Sequence, residues 1–391
     1  MREVGLKDIQ KIYIEESAMH TPVAKRALKI FSQDKIELVT DEPYLLEKGN
    51  PSAKQFDRSK KELFITNFKG QFFKRCPGAK PGLTCCNYFV LNLGQQCNMN
   101  CSYCYLQGFI NSPITKIYAN IDQALVELSE VGQTLKDHSL RIGTGEITDS
   151  LSLDELTLYS RELIIFFRDY PKWRLELKTK SSRVDQFLDV EHAKNIIISF
   201  SLNPQNIIAS EEHGTASLIA RLYAAQKSRD CGHIISFHLD PVIYFAGWQN
   251  SYSEMIDEIT SRFTPQDVPA ISIGTLRFQP AQRHLMRERF GTKSLTLQSE
   301  LFQSQDGKLR YDQKLRSEMY EFIRQRFLAH SREWNIFLCM ETPETWLETF
   351  GQMPKHMRGL GEVFDHRITH KLTKTLTKKL TNNLILKRQS F

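Results

Sequence analysis

No stretch of the chain comes near the ~20 consecutive apolar residues that a membrane-spanning helix needs, which predicts a soluble protein. The opening MREVGLKDIQKIYIEES places acids directly after its first basic residue and has no apolar h-region, so no secretory leader is read and the cytoplasm is the expected location. Eight cysteines in 391 residues are too few for a disulfide framework. No internal repeat and no low-complexity tract precede the C-terminal tail, which argues against solenoids and disordered scaffolds. What is present, 41% apolar, 25% charged and 10% aromatic residues, is an ordinary globular composition with length for two or three domains. Acids are also missing from the tail: Arg367, Lys371, Lys374, Lys378, Lys379, Lys387 and Arg388 have no Asp or Glu among them. The net charge of +7 therefore sits in the tail, and positions 1–366 carry 45 basic against 45 acidic residues.

Three regions are expected: an N-terminal extension over 1–85, a core over 86–345 and a C-terminal segment over 346–391. The first holds a predicted helix at 21–32, with Thr21 as N-cap and Pro22 at its first turn, but no strong core pattern. In the second, short apolar runs alternate with helical patterns, as in βα units around a parallel sheet. Strands are predicted at 88–93, 139–143, 173–178, 196–202, 233–240, 271–277 and 335–341. Helices are predicted at 120–135, 153–168, 210–227, 250–262 and 313–329. Six or seven such units predict a full or partial βα barrel. The tail from Ile368 reads as a basic amphipathic helix with Leu372, Leu376 and Leu380 on one stripe, suited to phosphate backbones, an anionic surface or an acidic partner.

Three of the cysteines fall within eight positions, in Cys97-Asn-Met-Asn-Cys101-Ser-Tyr-Cys104, just after the first strand of the βα region. Three thiolates from one short loop can hold three irons of a [4Fe–4S] cube and leave the fourth open to a small molecule. Zinc competes, but structural zinc loops pair CxxC units with a partner pair, and the other cysteines form none. CNMNCSYCYLQ resembles the cluster loop of radical S-adenosylmethionine (SAM) enzymes, and YCYLQ in particular is similar to that of the spore photoproduct lyase family. CPGAKPGLTCCNYFVLN before it, and GTGEITDSLSLD, LKTKS, SFSLNP, HLDP, SIGTLRF and FLCMETPETW after it, extend the likeness over roughly 60–350. The resemblance implies an α/β fold, a partial (βα)6-type radical SAM barrel with an N-terminal α/β extension and a basic tail. It also implies a [4Fe–4S] cluster on Cys97, Cys101 and Cys104 whose open iron chelates SAM, and reductive cleavage of SAM to a 5′-deoxyadenosyl radical. A reducing partner such as a flavodoxin or ferredoxin, and DNA as a candidate partner, come with it.

Polar residues recur where the predicted strands end, the position at which a βα barrel gathers its site: Glu146, Lys180, Ser201, Asp240 and Arg277. A lysine there can pair with the SAM carboxylate, a serine can donate to it, and an acid can accept from the SAM ammonium. Each position also fits an ordinary cap or turn. By resemblance, Lys180 and Ser201 match SAM-contacting positions, and Gly143-Thr144-Gly145-Glu146 is similar to the element that grips the SAM amino group. Tyr103 and Tyr105 match tyrosines near the family's hydrogen path, and equally fit packing beside the cluster. One departure stands out. By motif spacing the family's hydrogen-donating cysteine falls at Glu146, and a carboxyl O–H bond is too strong to quench a carbon radical. Cys86 and Cys339 are candidate thiol donors in its place. His238, between apolar neighbours, reads as a satisfied core histidine.

DNA contact would draw on Arg277, Arg283, Arg287 and Arg289, and on Lys308, Arg310, Tyr311, Lys314 and Arg316, all of which equally fit solvated faces. The expected function is lyase-like repair of a pyrimidine dimer in DNA. Two rivals stay open: the same radical chemistry on a small molecule, protein or RNA, and an iron–sulfur or zinc module without turnover.

Overall fold

The computed structural model describes residues 2–43, 52–109 and 112–357. The expected tail helix and the charges from Arg367 onward lie outside the described residues. Among the described residues no helix is long and apolar enough to cross a membrane.

The larger sheet has eight strands, in the order Ile336–Leu338, Ile271–Thr275, Ile234–Val242, Ile196–Ser201, Trp173–Thr179, Leu140–Gly143, Tyr88–Leu91 and Phe73–Arg75. The first seven run parallel and the last pairs antiparallel with its neighbour. Parallel strands covered on both faces read as continuous apolar runs, yet these alternate. Leu175, Leu177, Ile196, Ile198, Phe200, Ile235, Phe237, Leu239, Ile271 and Ile273 are buried almost completely. Between them stand Glu176, Lys178, Ser199, Ser201, Ser236, His238, Asp240 and Ser272, in register across neighbouring strands. One face packs against helices such as Ile121–Leu135, Tyr159–Phe167, Leu218–Asp230 and Trp248–Thr260, and the other is a polar inner face.

The sheet is curled. The Arg141 guanidinium, near one edge, lies 5.1 Å from the Tyr88 ring and 5.7 Å from the Phe337 ring, on the strand at the opposite edge. The Thr84 N–H donates to the Glu341 carbonyl at 2.8 Å, so chain entering the Tyr88 strand meets chain leaving the Phe337 strand. The result is the expected partial barrel.

The first 85 residues hold more core than their sequence suggests. Strands Ile36–Val39, Lys11–Glu15, Glu62–Thr66 and Thr115–Tyr118 form a parallel sheet, extended by Gly94–Gln95 in antiparallel pairing. Ile12, Ile14, Leu63 and Ile65 are fully buried there. The predicted helix appears as Pro22–Ile30, with the Thr21 hydroxyl accepting from the Ala24 N–H at 3.4 Å. The predicted helix at 210–227 is instead two, Gln205–Glu211 and Leu218–Asp230. Gly214 turns the chain between them at φ +78°, and Glu212–His213 pairs as a short strand with Asn100–Cys101 of the cysteine loop.

Candidate active site

The loop carrying Cys97, Cys101 and Cys104 leaves the barrel sheet after Leu91 and is held at several points. Gly94–Gln95 pairs with Lys116 and Ile117, an approach so close that a Cβ on Gly94 would stand 2.7 Å from the Lys116 carbonyl. Gln96 then adopts a left-handed φ of +65°. Beyond it, the Gln107 amide donates to the Ser102 and Cys104 carbonyls at 2.9 and 3.2 Å, and Gln282 donates to the Cys104 carbonyl at 2.8 Å. The Arg289 guanidinium lies between the Phe56 and Phe290 rings, binds Asp57 at 3.0 Å, and reaches Asn100 and Gln107.

All three cysteines are free thiols. Burial pushes Cys97 up to about 11, against the pull of Lys60, and raises Cys101 well above the ordinary thiol range, against the pull of Lys180. The Cys104 thiol acts on both and Cys97 acts on Cys101, yet among the described residues the three form no preassembled single-ion site. A cube takes each thiolate on a different iron, so its ligands stand farther apart than those of one zinc ion. Free thiols on one pinned loop, with the Lys60 ammonium on the Cys97 carbonyl and Lys180 acting on Cys101, fit an anionic cluster.

Beneath the loop the inner face carries the groups expected at the strand ends. The Tyr105 phenol donates to the Glu146 carbonyl at 2.5 Å, and burial together with the Glu146 charge raises its pKa well above the usual value. Tyr103 is placed differently, its hydroxyl donating to the buried Glu212 carboxylate. Burial would push Glu212 up, but Arg221 at 2.6 Å, Lys180 and the Tyr103 and Asn203 hydrogen bonds hold it at about 2. Lys180 stands over the Tyr103 ring at 5.7 Å. Ser201 is buried on the inner face beside His238. Gly145 has no room for a side chain: a Cβ there would stand 2.6 Å from the Lys178 carbonyl.

Asp240 is already engaged. Arg277 grips both its oxygens at 3.0 and 2.8 Å and, with Lys178, holds it well below the carboxylate range although burial opposes this. The candidate DNA-contact arginines are largely internal too. Arg277 faces Asp240, Arg289 faces Asp57, Arg310 pairs with Asp306 at 2.6 Å, and Arg316 pairs with Glu341 at 3.1 Å. Tyr311 is buried. Arg287 and Lys314 remain exposed.

Several site residues went unread in the sequence. Asp149 accepts from the Leu151 and Ser152 N–H groups at 3.0 and 2.9 Å, the Thr179 hydroxyl at 2.7 Å and the Lys180 N–H at 2.8 Å. It thus ties the Glu146 loop to Lys180. Glu176 joins Arg141 at 2.7 Å, His238 at 2.8 Å and the Ser199 hydroxyl at 2.7 Å. Lys178 is half-buried on the inner face, its pKa raised by Glu146 and Asp240 against the opposing effect of desolvation. The available signal was the run Glu176, Lys178, Lys180, charges at every second residue of a strand whose other face is apolar. Cys76 was overlooked as well: Glu146, Cys86 and Cys339 are the charged and ionisable groups acting on its thiol, which burial pushes upward.

Comparison with known proteins identifies the family. A family model described as spore photoproduct lyase matches residues 8–334. A spore photoproduct lyase of a Geobacillus strain is 24% identical over 291 residues, covering 73% of this chain and 84% of its own. That of Bacillus subtilis is 26% identical over 263 residues, covering 66% and 75%. That of Clostridium acetobutylicum is 24% identical over 322 residues, covering 80% and 94%. A solved spore photoproduct lyase variant with bound AdoMet and dinucleoside spore photoproduct superposes with a TM-score of 0.74 at 22% identity, covering 86% of this chain and 99% of that one.

Proposed function

The chain belongs to the spore photoproduct lyase family of radical SAM lyases, and from that premise we propose that it repairs a thymine-derived dimer in DNA with one [4Fe–4S] cluster on Cys97, Cys101 and Cys104 and one SAM. The observation that carries this reading is the placing of the three-cysteine loop over a polar inner face where Tyr105 and Glu146 meet. When bound, the cluster and SAM supply the hydrogen-abstracting radical chemistry of the family.

The residues divide the remaining work. Lys180 and the Ser201 hydroxyl suit the SAM carboxylate, and the Gly145-Glu146 turn suits its amino group, held in place by Asp149. Asp240 is better suited to orienting Arg277 and Lys178 than to taking the SAM ammonium itself. Hydrogen return passes to a thiol, because Glu146 offers no weak X–H bond. Cys76 and Cys339 are the candidates nearest that role: Cys76 has Glu146 as its foremost charged neighbour, and Cys339 has its sulfur 3.7 Å from Arg277. Tyr105, bonded to the Glu146 backbone, stands on the same path.

Anaerobic reconstitution followed by dithionite reduction with SAM tests the reading. 5′-Deoxyadenosine is expected, and Cys97→Ala, Cys101→Ala and Cys104→Ala should each lose cluster iron. Incubation with dinucleoside spore photoproduct should regenerate the paired thymidines, and Cys76→Ala should lower that yield without lowering 5′-deoxyadenosine. SAM cleavage with no lesion turnover would move the assignment to a substrate other than DNA.

A further inference from the structure

Lys60 ends the helix Ala53–Ser59, and its ammonium is carried inward to the cysteine loop. The residue is 7% exposed. Its Nζ donates to the Cys97 carbonyl at 2.9 Å and to the Gln96 side-chain carbonyl at 3.1 Å. Both acceptors are neutral, and the carboxylates nearest to it in sequence, Asp57 and Glu62, are paired with Arg289 and Arg58. The other cations around the loop differ. Arg289 is paired with Asp57, and Lys180 shares the field of Glu212 with Arg221. A buried ammonium with no carboxylate beside it is strongly disfavoured, and an anion held at the adjoining Cys97 would balance it.

We propose that Lys60 is the built-in counter-charge of the cluster, a positioning residue that fixes the turn into Cys97 and raises the cluster's reduction potential. The inference rests on the cluster assignment above. Three thiolates outweigh the charge of the cube, and reduction adds one more negative charge. A cation held beside one ligand stabilises the reduced form more than the oxidised form, and does so strongly where water is excluded. The contact to the Cys97 carbonyl sets the distance. The Gln96 contact holds a residue whose left-handed φ gives the loop its entry angle.

The test compares Lys60→Met and Lys60→Arg with the wild type in the full-length reconstituted protein, measuring iron content and an EPR-monitored redox titration. Lys60→Met should shift the reduction equilibrium at least tenfold toward the oxidised form, 59 mV for a one-electron couple. Lys60→Arg should stay near the wild type. Loss of iron from Lys60→Met with retention in Lys60→Arg would also support the counter-charge role. A loaded Lys60→Met titrating at the wild-type potential would overturn it, as would an equal shift, or equal loss of iron, in both variants. Wild-type protein that takes up no cluster would overturn the underlying assignment and this inference together. Failure to turn over the lesion with the cluster in place would count against the substrate alone and leave the potentials to decide.

Discussion

Two tyrosines separated by one residue have different work, and the difference is measurable. Tyr103 satisfies Glu212, a fully buried carboxylate that also binds Arg221 and Asn203. Tyr103→Phe removes a donor from that carboxylate and should cost about 1–3 kcal/mol in a denaturant titration. The ratio of product to 5′-deoxyadenosine should barely change. Tyr105→Phe should do the reverse, keeping stability within about 1 kcal/mol and lowering product per 5′-deoxyadenosine, because its hydroxyl bonds the backbone carbonyl of Glu146. Equal behaviour of the two variants would contradict this division. His238 gives a pH prediction. Burial and Lys178 lower its pKa to about 4 in spite of Glu176. Between about 4 and 6.5 the unfolded chain then binds the extra proton, so stability rises with pH across that window, by on the order of 3 kcal/mol for this group. His233, stacked on His192 and likewise lowered to about 4, adds to the same window. Glu176 and Glu212 are held below the ordinary carboxyl range, so their contributions are lost only as pH falls below about 4.5. Stability measured from pH 4 to 7 should therefore slope less in His238→Asn than in the wild type, by one proton's share.

At the scale of elements, Asp149 shows how the site is assembled. One carboxylate receives two N–H groups of its own loop and two donors from the end of the Trp173–Thr179 strand, so the Glu146 turn and Lys180 move as one piece. Asp149→Ala should destabilise the protein by about 2–4 kcal/mol, since several backbone donors lose a charged acceptor. It should also weaken SAM binding in equilibrium dialysis; unchanged SAM affinity would mean that the two loops do not hold the cofactor jointly. Asp149 lay inside the quoted run GTGEITDSLSLD, yet nothing local in the sequence marks which acid of such a run turns inward. The barrel strands were legible because β-branched and aromatic runs of the right length recur between amphipathic helices. Lys11–Glu15 and Glu62–Thr66 were not, because each is short and flanked by charge, and their apolar centres close into a core only through pairing with chain far away in sequence. The helix expected at 210–227 failed for a related reason: Glu212–His213 is drawn into pairing with the cysteine loop, a tertiary contact that periodicity does not encode.

For the whole molecule the question is how a chain with balanced charge over 1–366 would hold a polyanion. Arg277, Arg289, Arg310 and Arg316, read from sequence as candidate phosphate contacts, form internal ion pairs, because an arginine near a strand end or beside the cysteine loop finds its carboxylate within the fold. Sequence shows the charge but not its partner. The seven basic residues from Arg367 onward have no acid among them and carry the whole net excess. Duplex affinity falls with salt at a slope of about −0.9 per phosphate neutralised, so a tail using all its charges would contribute about −6 to the slope. Removing 367–391 should flatten the salt dependence of duplex binding by several units. It should leave turnover of a dinucleoside lesion close to that of the full chain, since such a substrate offers little backbone to hold. An unchanged slope after truncation would transfer duplex binding to the exposed Arg287 and Lys314 on the barrel itself. Loss of dinucleoside turnover would mean instead that the tail acts at the site, a role its charge alone does not explain.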